Sequence, residues 1–262
     1  MKKINDLDLN KWKDLSDIWT DTLWIISERD NSGAHSGYYH GNFVPQIPHQ
    51  LLSRYTKAGD FVLDPFSGSG TTLIEAQRMG RNSIGIELQP EVASEAIARI
   101  HSEQRLGIIA DTFVDDSRTF DTKRILDTYK IENVQFIIYH PPYWDIVKFS
   151  DDENDLSNSE SLDQFLKNFR QVVNNTSAIL EKGRYCAVVI GDKYANSRLV
   201  PLGFYCMQVM QQEELTLKAT IVKNFEETKG KANQKALWRR RALQNGLYIF
   251  KHEYIFVFRK DK

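Results

Sequence analysis

The chain has 262 residues, 41% of them apolar, enough for one large α/β domain or two small ones around a real core. Its net charge of -1 excludes a uniformly basic nucleic-acid binder, and no apolar run approaches the roughly 18 residues of a membrane span. Met1 to Trp12 is polar and charged, with no apolar run behind it, which argues against a secretory signal and for a cytoplasmic protein.

The predicted elements alternate. Phe61 to Leu63 reads as a short strand ending in Asp64, and Thr71 to Met79 as a helix closed by Gly80. Ser83 to Ile86 is a second strand ending in Glu87, and Pro90 opens a helix to about Gln104. A strand over Gly107 to Val114 and a helix over Thr119 to Lys130 follow, then a fourth strand, Val134 to Tyr139. Leu162 to Glu181 is a long amphipathic helix, Tyr185 to Ile190 a strand and Leu199 to Gln211 a helix. Two late strands, Leu215 to Val222 and Glu253 to Phe258, show no clear helix between them, so they are expected to pair as an antiparallel hairpin at one edge. The series implies a mostly parallel sheet covered by helices on both faces. Phe149 to Ser161 and Asn224 to Asn245 lack periodicity, and the first 40 residues show no part in the sheet.

The charges are unevenly placed. Asp151, Asp152, Glu153 and Asp155 form an acidic cluster that should avoid phosphates. The segment Lys223 to Arg241 is basic; Lys229, Lys231, Lys235, Trp238, Arg239, Arg240 and Arg241 are its candidate nucleic-acid contacts. Cys186 and Cys206 lie far apart in apolar segments and read as reduced core thiols. The histidines at 35, 40, 49, 101, 140 and 252 show no ligand spacing, so no metal is expected.

The strongest local signal is the strand–turn–helix Val62-Leu63-Asp64-Pro65-Phe66-Ser67-Gly68-Ser69-Gly70-Thr71-Thr72. Gly68 and Gly70 let a ligand approach the backbone, and Thr71 and Thr72 suit the helix start, whose free N–H groups favour an anion. Leu73 stands where a dinucleotide fingerprint needs its third glycine, and no Walker lysine follows Gly70. Glu87 can accept from ribose hydroxyls, and Asp115 or Asp116 from an adenine amino group. Amino acid, ribose and adenine together describe S-adenosylmethionine.

The fourth strand runs into His140-Pro141-Pro142-Tyr143, where two prolines force the chain out of the sheet. The carbonyls of His140 and Pro141 are candidate fixed acceptors, and Tyr143 a face on which a base can stack. Asp64 to Thr72 together with this turn resembles the two signature motifs of the amino-directed (adenine N6 or cytosine N4) DNA methyltransferases. His40-Gly41-Asn42-Phe43, with Ile47-Pro48 and Leu51-Leu52, is similar to that family's additional cofactor motif. Gly191-Asp192-Lys193 and Glu253 to Arg259 look familiar from the same enzymes.

The resemblance implies a Rossmann-like methyltransferase fold: a doubly wound, mostly parallel seven-stranded sheet with a C-terminal antiparallel hairpin. It divides the chain into an N-terminal extension, 1–39, and a catalytic domain, 40–262, with inserts at about 148–161 and 224–247 for nucleic-acid contact. It implies cofactor contacts from His40, Asn42, Phe43, Asp64, Phe66, Gly68, Gly70, Thr71, Thr72, Glu87, Asp115 and Asp116, and a reaction centre of His140, Pro141, Pro142 and Tyr143. The implied reaction is site-specific, restriction-modification-like methylation of DNA, adenine ahead of cytosine. A homodimer and a companion restriction endonuclease are compatible with it. An RNA base amino-methyltransferase and an inactive cofactor- and nucleic-acid-binding subunit are the alternatives. The family places Asp, Asn or Ser where this chain has His140, so activity is expected to fall in acid as that imidazole protonates near its ordinary pKa of about 6.5.

Overall fold

The inner strands carry continuous apolar runs, such as Phe136–Tyr139, Cys186–Ile190 and Ile255–Phe258, rather than apolar residues at every second position, so those runs must be covered on both faces. In the computed structural model, which describes residues 3–35, 37, 39, 41–225 and 235–261, they are. The elements run β1 (Leu23–Trp24), α1 (Gln46–Tyr55), β2 (Phe61–Asp64), α2 (Thr71–Arg78), β3 (Asn82–Glu87), α3 (Pro90–Ser102), β4 (Ala110–Val114), α4 (Thr122–Tyr129), β5 (Val134–Tyr139) and α5 (Leu162–Ser177). They continue with β6 (Leu180–Ile190), β7 (Lys193–Ala195), β8 (Arg198–Val200), α6 (Leu202–Gln212), β9 (Leu215–Asn224), α7 (Lys235–Asn245) and β10 (His252–Lys260).

One sheet of eight strands takes the order β1-β9-β10-β6-β5-β2-β3-β4. Its pairings are parallel except those of β10, which is antiparallel to both β9 and β6. Alternate residues feed two cores. Ile137, Tyr139, Cys186, Val188, Phe256 and Phe258 pack with Phe165 and Phe169 of α5 and with Leu202 and Cys206 of α6. Phe136, Ile138, Ala187, Val189, Ile255 and Val257 face Ile47, Leu51 and Leu52 of α1. Both cysteines are free and buried.

The structure differs from the sequence expectation in four places. The sheet has an eighth strand, because Leu23 and Trp24 from the first 40 residues pair with Val222 and Lys223. A two-residue strand has no readable period. The β9–β10 hairpin is not at the edge: β10 lies between β9 and β6, and β1 covers β9. A helix, α7, stands between β9 and β10; its Trp and Arg residues surround the axis and leave no apolar stripe to read. Arg198–Val200 belongs to a small hairpin with Lys193–Ala195, and α6 starts only after Pro201.

The N-terminal segment is tied to the body by charge. Arg81 holds Asp6 at 2.9 Å, and the Arg184 guanidinium reaches the Ile4 carbonyl at 3.1 Å. Glu75 on α2 accepts from His35 Nε2 at 2.7 Å and pairs with His49 Nδ1 at 2.9 Å, while Arg78 adds a 3.2 Å contact. His35 and His49 are therefore a clasp rather than ordinary packing residues. Asp30, His35 and Glu75 bring donor atoms within 4.8 Å of one another, a spacing a metal could use. Both Glu75 oxygens are already taken, however, and the Arg78 guanidinium opposes a second cation there.

Burial works against the Glu75 charge, but hydrogen bonds from the two imidazoles outweigh it and take its pKa down to about 2. The same hydrogen bond raises that of His49. Glu75 therefore contributes stability that is present above its ordinary 4.5 and lost as pH falls toward 2. The His49 contribution is complete below its ordinary 6.5 and lost as pH rises beyond it. The clasp is strongest between those two values. Urea unfolding should show the stability deficit of Glu75→Gln to be largest near pH 5.5, and smaller at pH 3 and pH 8.5.

Candidate active site

In the order β6-β5-β2-β3-β4, chain direction across the sheet reverses between β2 and β5. Such a switch point opens a crevice at the carboxyl ends of the strands. Here β2 delivers the glycine turn and β5 delivers His140 to Tyr143, so the two motifs meet. One continuous cavity of about 960 Å³ runs between them.

On the β2 side, Gly70 caps α2 with φ of 82°, a conformation costly for any side chain. The turn is closed by Asp64. Its Oδ2 accepts from Thr72 Oγ1 at 2.6 Å and its Oδ1 from the Phe66 amide at 2.9 Å. Asp64 is only 2% exposed, and burial pushes its pKa up to about 6 despite those bonds. The Ser67 hydroxyl, on the cavity wall, is buried without a hydrogen-bond partner.

On β3, Glu87 accepts from the Gly68 amide at 3.0 Å and the Gln89 amide at 2.9 Å, tying two turns together while it faces the cavity; burial raises its pKa. Of the two acids after β4, Asp116 is gripped by Arg118 at 2.6 Å, which also reaches Asn154 at 2.6 Å. Asp115 is exposed at the cavity wall and carries the more open carboxylate.

The roof comes from two segments. Asn42 accepts from Ser69 Oγ at 2.5 Å, and Tyr39 stacks on Phe149 with centroids 6.3 Å apart. The acidic segment after Phe149 is built by hydrogen bonds, including Ser150 Oγ to Asp155 at 2.8 Å and Asn158 Nδ2 to the Asp152 carbonyl at 2.8 Å. It covers the cleft, and Asp155 lines it.

At the reaction centre, the Phe43 ring lies 4.7 Å from that of His140, which meets Tyr143 edge-on at 5.8 Å. Tyr143 Oη donates to Glu253 Oε2 at 2.7 Å, and Glu253 Oε1 pairs with Lys223 at 3.1 Å. The cavity extends past this group to Trp238 on α7. Enclosure pushes the His140 pKa down to about 4, with Lys223 adding to the effect and Glu253 opposing it. The expected loss of activity near 6.5 is therefore corrected: the imidazole is neutral well below that value.

Most of the expected site residues line this cavity: Asn42, Phe43, Asp64, Phe66, Gly68, Thr71, Thr72, Glu87, Asp115, Asp116 and all four residues of the Pro-Pro-Tyr turn. Gly70 shapes the turn from behind. Trp238 reaches the cavity; Arg239 and Arg240 are exposed on α7, and the exposed Arg241 sets its guanidinium over the Trp238 ring at 5.4 Å. His40, Lys229, Lys231 and the side chain of Lys235 lie outside the described residues. Tyr39, Ser67, Phe149, Lys223 and Glu253 line the cavity without having been assigned to the site from sequence, although Ser67 stands in the glycine motif, Lys223 opens the basic run and Glu253 opens a late strand.

A family model described as DNA methylase matches residues 2–98 and 134–262. The chain belongs to the DNA methylase family. A second model, an RMKL-like methyltransferase domain, overlaps it over residues 51–188, the span of both motifs. Among curated relatives, the Type II methyltransferase M2.DpnII of Streptococcus pneumoniae is 38% identical over 37% of this chain and 34% of its own length. M.MjaII of Methanocaldococcus jannaschii, also a Type II methyltransferase, is 41% identical over 28% of this chain and 14% of its own. The chain thus spans about a third or less of these relatives. TrmN from Thermus thermophilus has a similar fold, with a TM-score of 0.52 at 17% identity over 84% of this chain and 50% of that one. The N-methyltransferase NodS of Bradyrhizobium japonicum, solved with S-adenosyl-L-homocysteine, gives 0.51 at 13% identity over 83% and 87%.

Fold and family are those of S-adenosylmethionine-dependent methyltransferases, and the residues fit that cofactor. The free Ser67 hydroxyl, the α2 N-terminus and three carboxylates at consecutive strand ends match an amino acid, a ribose and an adenine. NMR titration should place the Asp64 midpoint near 6 and that of His140 near 4. S-adenosylmethionine affinity should weaken about tenfold at pH 5, one unit below the Asp64 midpoint, and Asp64→Asn should abolish that pH dependence.

Proposed function

We propose that this chain transfers a methyl group from S-adenosylmethionine to an exocyclic amino nitrogen of a base in DNA, in the manner of a site-specific modification enzyme. The observation that carries this reading is the single cavity joining the glycine turn of β2 to the Pro-Pro-Tyr turn of β5. The Type II methyltransferases among its relatives support DNA as the substrate.

In this reading Asp64 accepts from the cofactor ammonium, Glu87 from the ribose and Asp115 from the adenine amine, while the α2 amides face its carboxylate. S-adenosylmethionine, when bound, supplies an electrophilic methyl on a sulfonium. The remaining task of the protein is to prepare the nitrogen. An exocyclic amine is a poor nucleophile because its lone pair is delocalised into the ring. Acceptors on its two hydrogens favour a pyramidal nitrogen with a localised pair. The Pro141 carbonyl, fixed by the proline pair, is one acceptor. The neutral His140 imidazole is the other, since an imidazolium could accept nothing. With a pKa of about 4, His140 orients the amine but is too weak a base to keep its proton, so the proton shed by the methylated nitrogen passes to solvent as the neutral thioether product leaves. No covalent intermediate is needed; positioning carries the rate.

A base inside a duplex cannot enter this cavity, so it must be flipped out at a cost of a few kcal/mol, of which stacking on Tyr143 would return about 1–3. β9 ends and β10 begins at the carboxyl edge of the sheet beside this opening, because β10 runs antiparallel to β9 and to β6, and β6 is parallel to β5. Trp238 on the cavity wall and the exposed Arg239, Arg240 and Arg241 give the insert between β9 and β10 an aromatic face and a basic face. We assign DNA contact to it. Adenine N6 is our preferred target, with cytosine N4 the alternative.

Tritiated S-adenosylmethionine offered with unmethylated genomic DNA or total RNA tests the reading. Label in DNA, found in digests as N6-methyladenine, is the expected result; label confined to RNA would move the substrate class, and none in either would sink the proposal. Reversal of Arg239, Arg240 and Arg241 to Glu should weaken DNA binding at least tenfold and flatten its dependence on salt, as fluorescence anisotropy would show.

A further inference from the structure

Lys223 and Glu253 are direct cross-strand partners, the last pair but one at the end of the β9–β10 ladder. Both are charged, yet they are only 5% and 7% exposed, and their 3.1 Å contact sits on the cavity wall. A buried ion pair gains little over apolar residues of similar size, so stability does not account for it. Its geometry points elsewhere. Glu253 spends one oxygen on Lys223 and the other on the Tyr143 hydroxyl, at 2.7 Å.

The Tyr143 ring is also confined by backbone. A Cβ on Gly191 would come within 2.9 Å of it, so the chain just after β6 lies against the ring. Trp24 of β1 pairs with Lys223 on the far strand edge, and the Asn224 side chain holds the Ile26 amide at 2.7 Å.

We infer that Lys223 and Glu253 are positioning residues for the known family reaction: they hold the Tyr143 hydroxyl, and through it fix the ring plane on which the flipped base must lie. Lys223 holds one Glu253 oxygen in an enclosed place, and the other oxygen fixes the tyrosine. Because the same pair stands where β9 ends and β10 begins, the base platform is anchored beside the root of the segment that joins those strands. The inference rests on the proposed methyl transfer for its kinetic consequence, but the tether itself is a property of this chain alone.

The test uses Tyr143→Phe, which keeps the ring and removes the tether, and Lys223→Met/Glu253→Leu, which replaces the pair with apolar side chains and leaves no charge stranded. A third variant, Lys223→Met/Glu253→Gln, keeps an acceptor for the tyrosine. Label transfer to unmethylated genomic DNA should show kcat down about tenfold in the first two, with KM for S-adenosylmethionine within twofold. Combining Tyr143→Phe with Lys223→Met/Glu253→Leu should cost nothing further, and the Gln variant should regain most of kcat. In protein carrying 13C-labelled tyrosine rings, Tyr143 should show slow ring flipping in the wild type and fast, averaged signals in Lys223→Met/Glu253→Leu.

Unchanged kcat in that double variant, beside an active wild type, overturns the inference. So do Tyr143 ring signals identical in the two proteins. A wild type that labels neither DNA nor RNA defeats the proposed function instead, and the ring signals still decide the tether.

Discussion

Parallel pairing of β2 with β5 is the constraint from which the rest of this molecule follows. Val62 and Leu63 align with Phe136 and Ile137, so the two strands finish side by side. Each then leaves the sheet by a turn that cannot continue it: a glycine-rich one into α2, and a proline pair at residues 141 and 142. Neighbouring strands with outward exits must leave a crevice between them. Because both are buried on both faces, the register cannot slip without exposing apolar surface on one side or the other. Rigidity at the site is therefore inherited from the core. Ile47, Leu51 and Leu52 of α1 press on Phe136 and Ile138 from one face, while Phe165 and Phe169 of α5 press on Ile137 and Tyr139 from the other.

Around that crevice the charges divide into two kinds. Asp64, Glu87 and Asp155 line the cofactor half and give it a negative field suited to a ligand bearing an ammonium and a sulfonium. In the other half, Lys223 is paired with Glu253, and the Pro-Pro-Tyr turn itself offers His140, Tyr143 and backbone carbonyls, with Asp192 and Lys193 on the wall beside them. On the proposed function the flipped base is uncharged and would gain nothing from the acidic half.

Both halves were legible in sequence because the motifs rest on local chemistry. Asp64 to Thr72 must be strand, turn and helix, since glycines at 68 and 70 and threonines at 71 and 72 permit little else. The strand before His140 was read to the residue, because Val134 to Tyr139 is bounded by Asn133 and the prolines. What stayed hidden depends on contacts far apart in the chain. Leu23 and Trp24 become a strand only because β9 offers a free edge. Glu75 becomes a clasp only when His35 and His49 arrive from other segments. Glu253 looked like the start of one more strand of a familiar pattern. Its partner in register, Lys223, belonged to a basic run and drew attention as a charge for phosphates. Buried, it serves a carboxylate instead.

His140 shows most clearly how enclosure redirects a sequence inference. As a residue type it invites a pH switch near neutrality, because an ordinary imidazole titrates there. In the fold it is wedged between Phe43 and Tyr143. Desolvation penalises the imidazolium, and Glu253 nearby offsets only part of that penalty, with Lys223 acting against it. Burial, not the ion pair, keeps His140 neutral. A histidine in that state offers one lone pair and no charge, as an Asn or Ser at the same position would. The departure from Asp, Asn or Ser is then smaller in chemistry than in spelling, and on the proposed function what these residues share is one hydrogen-bond acceptor for the amine.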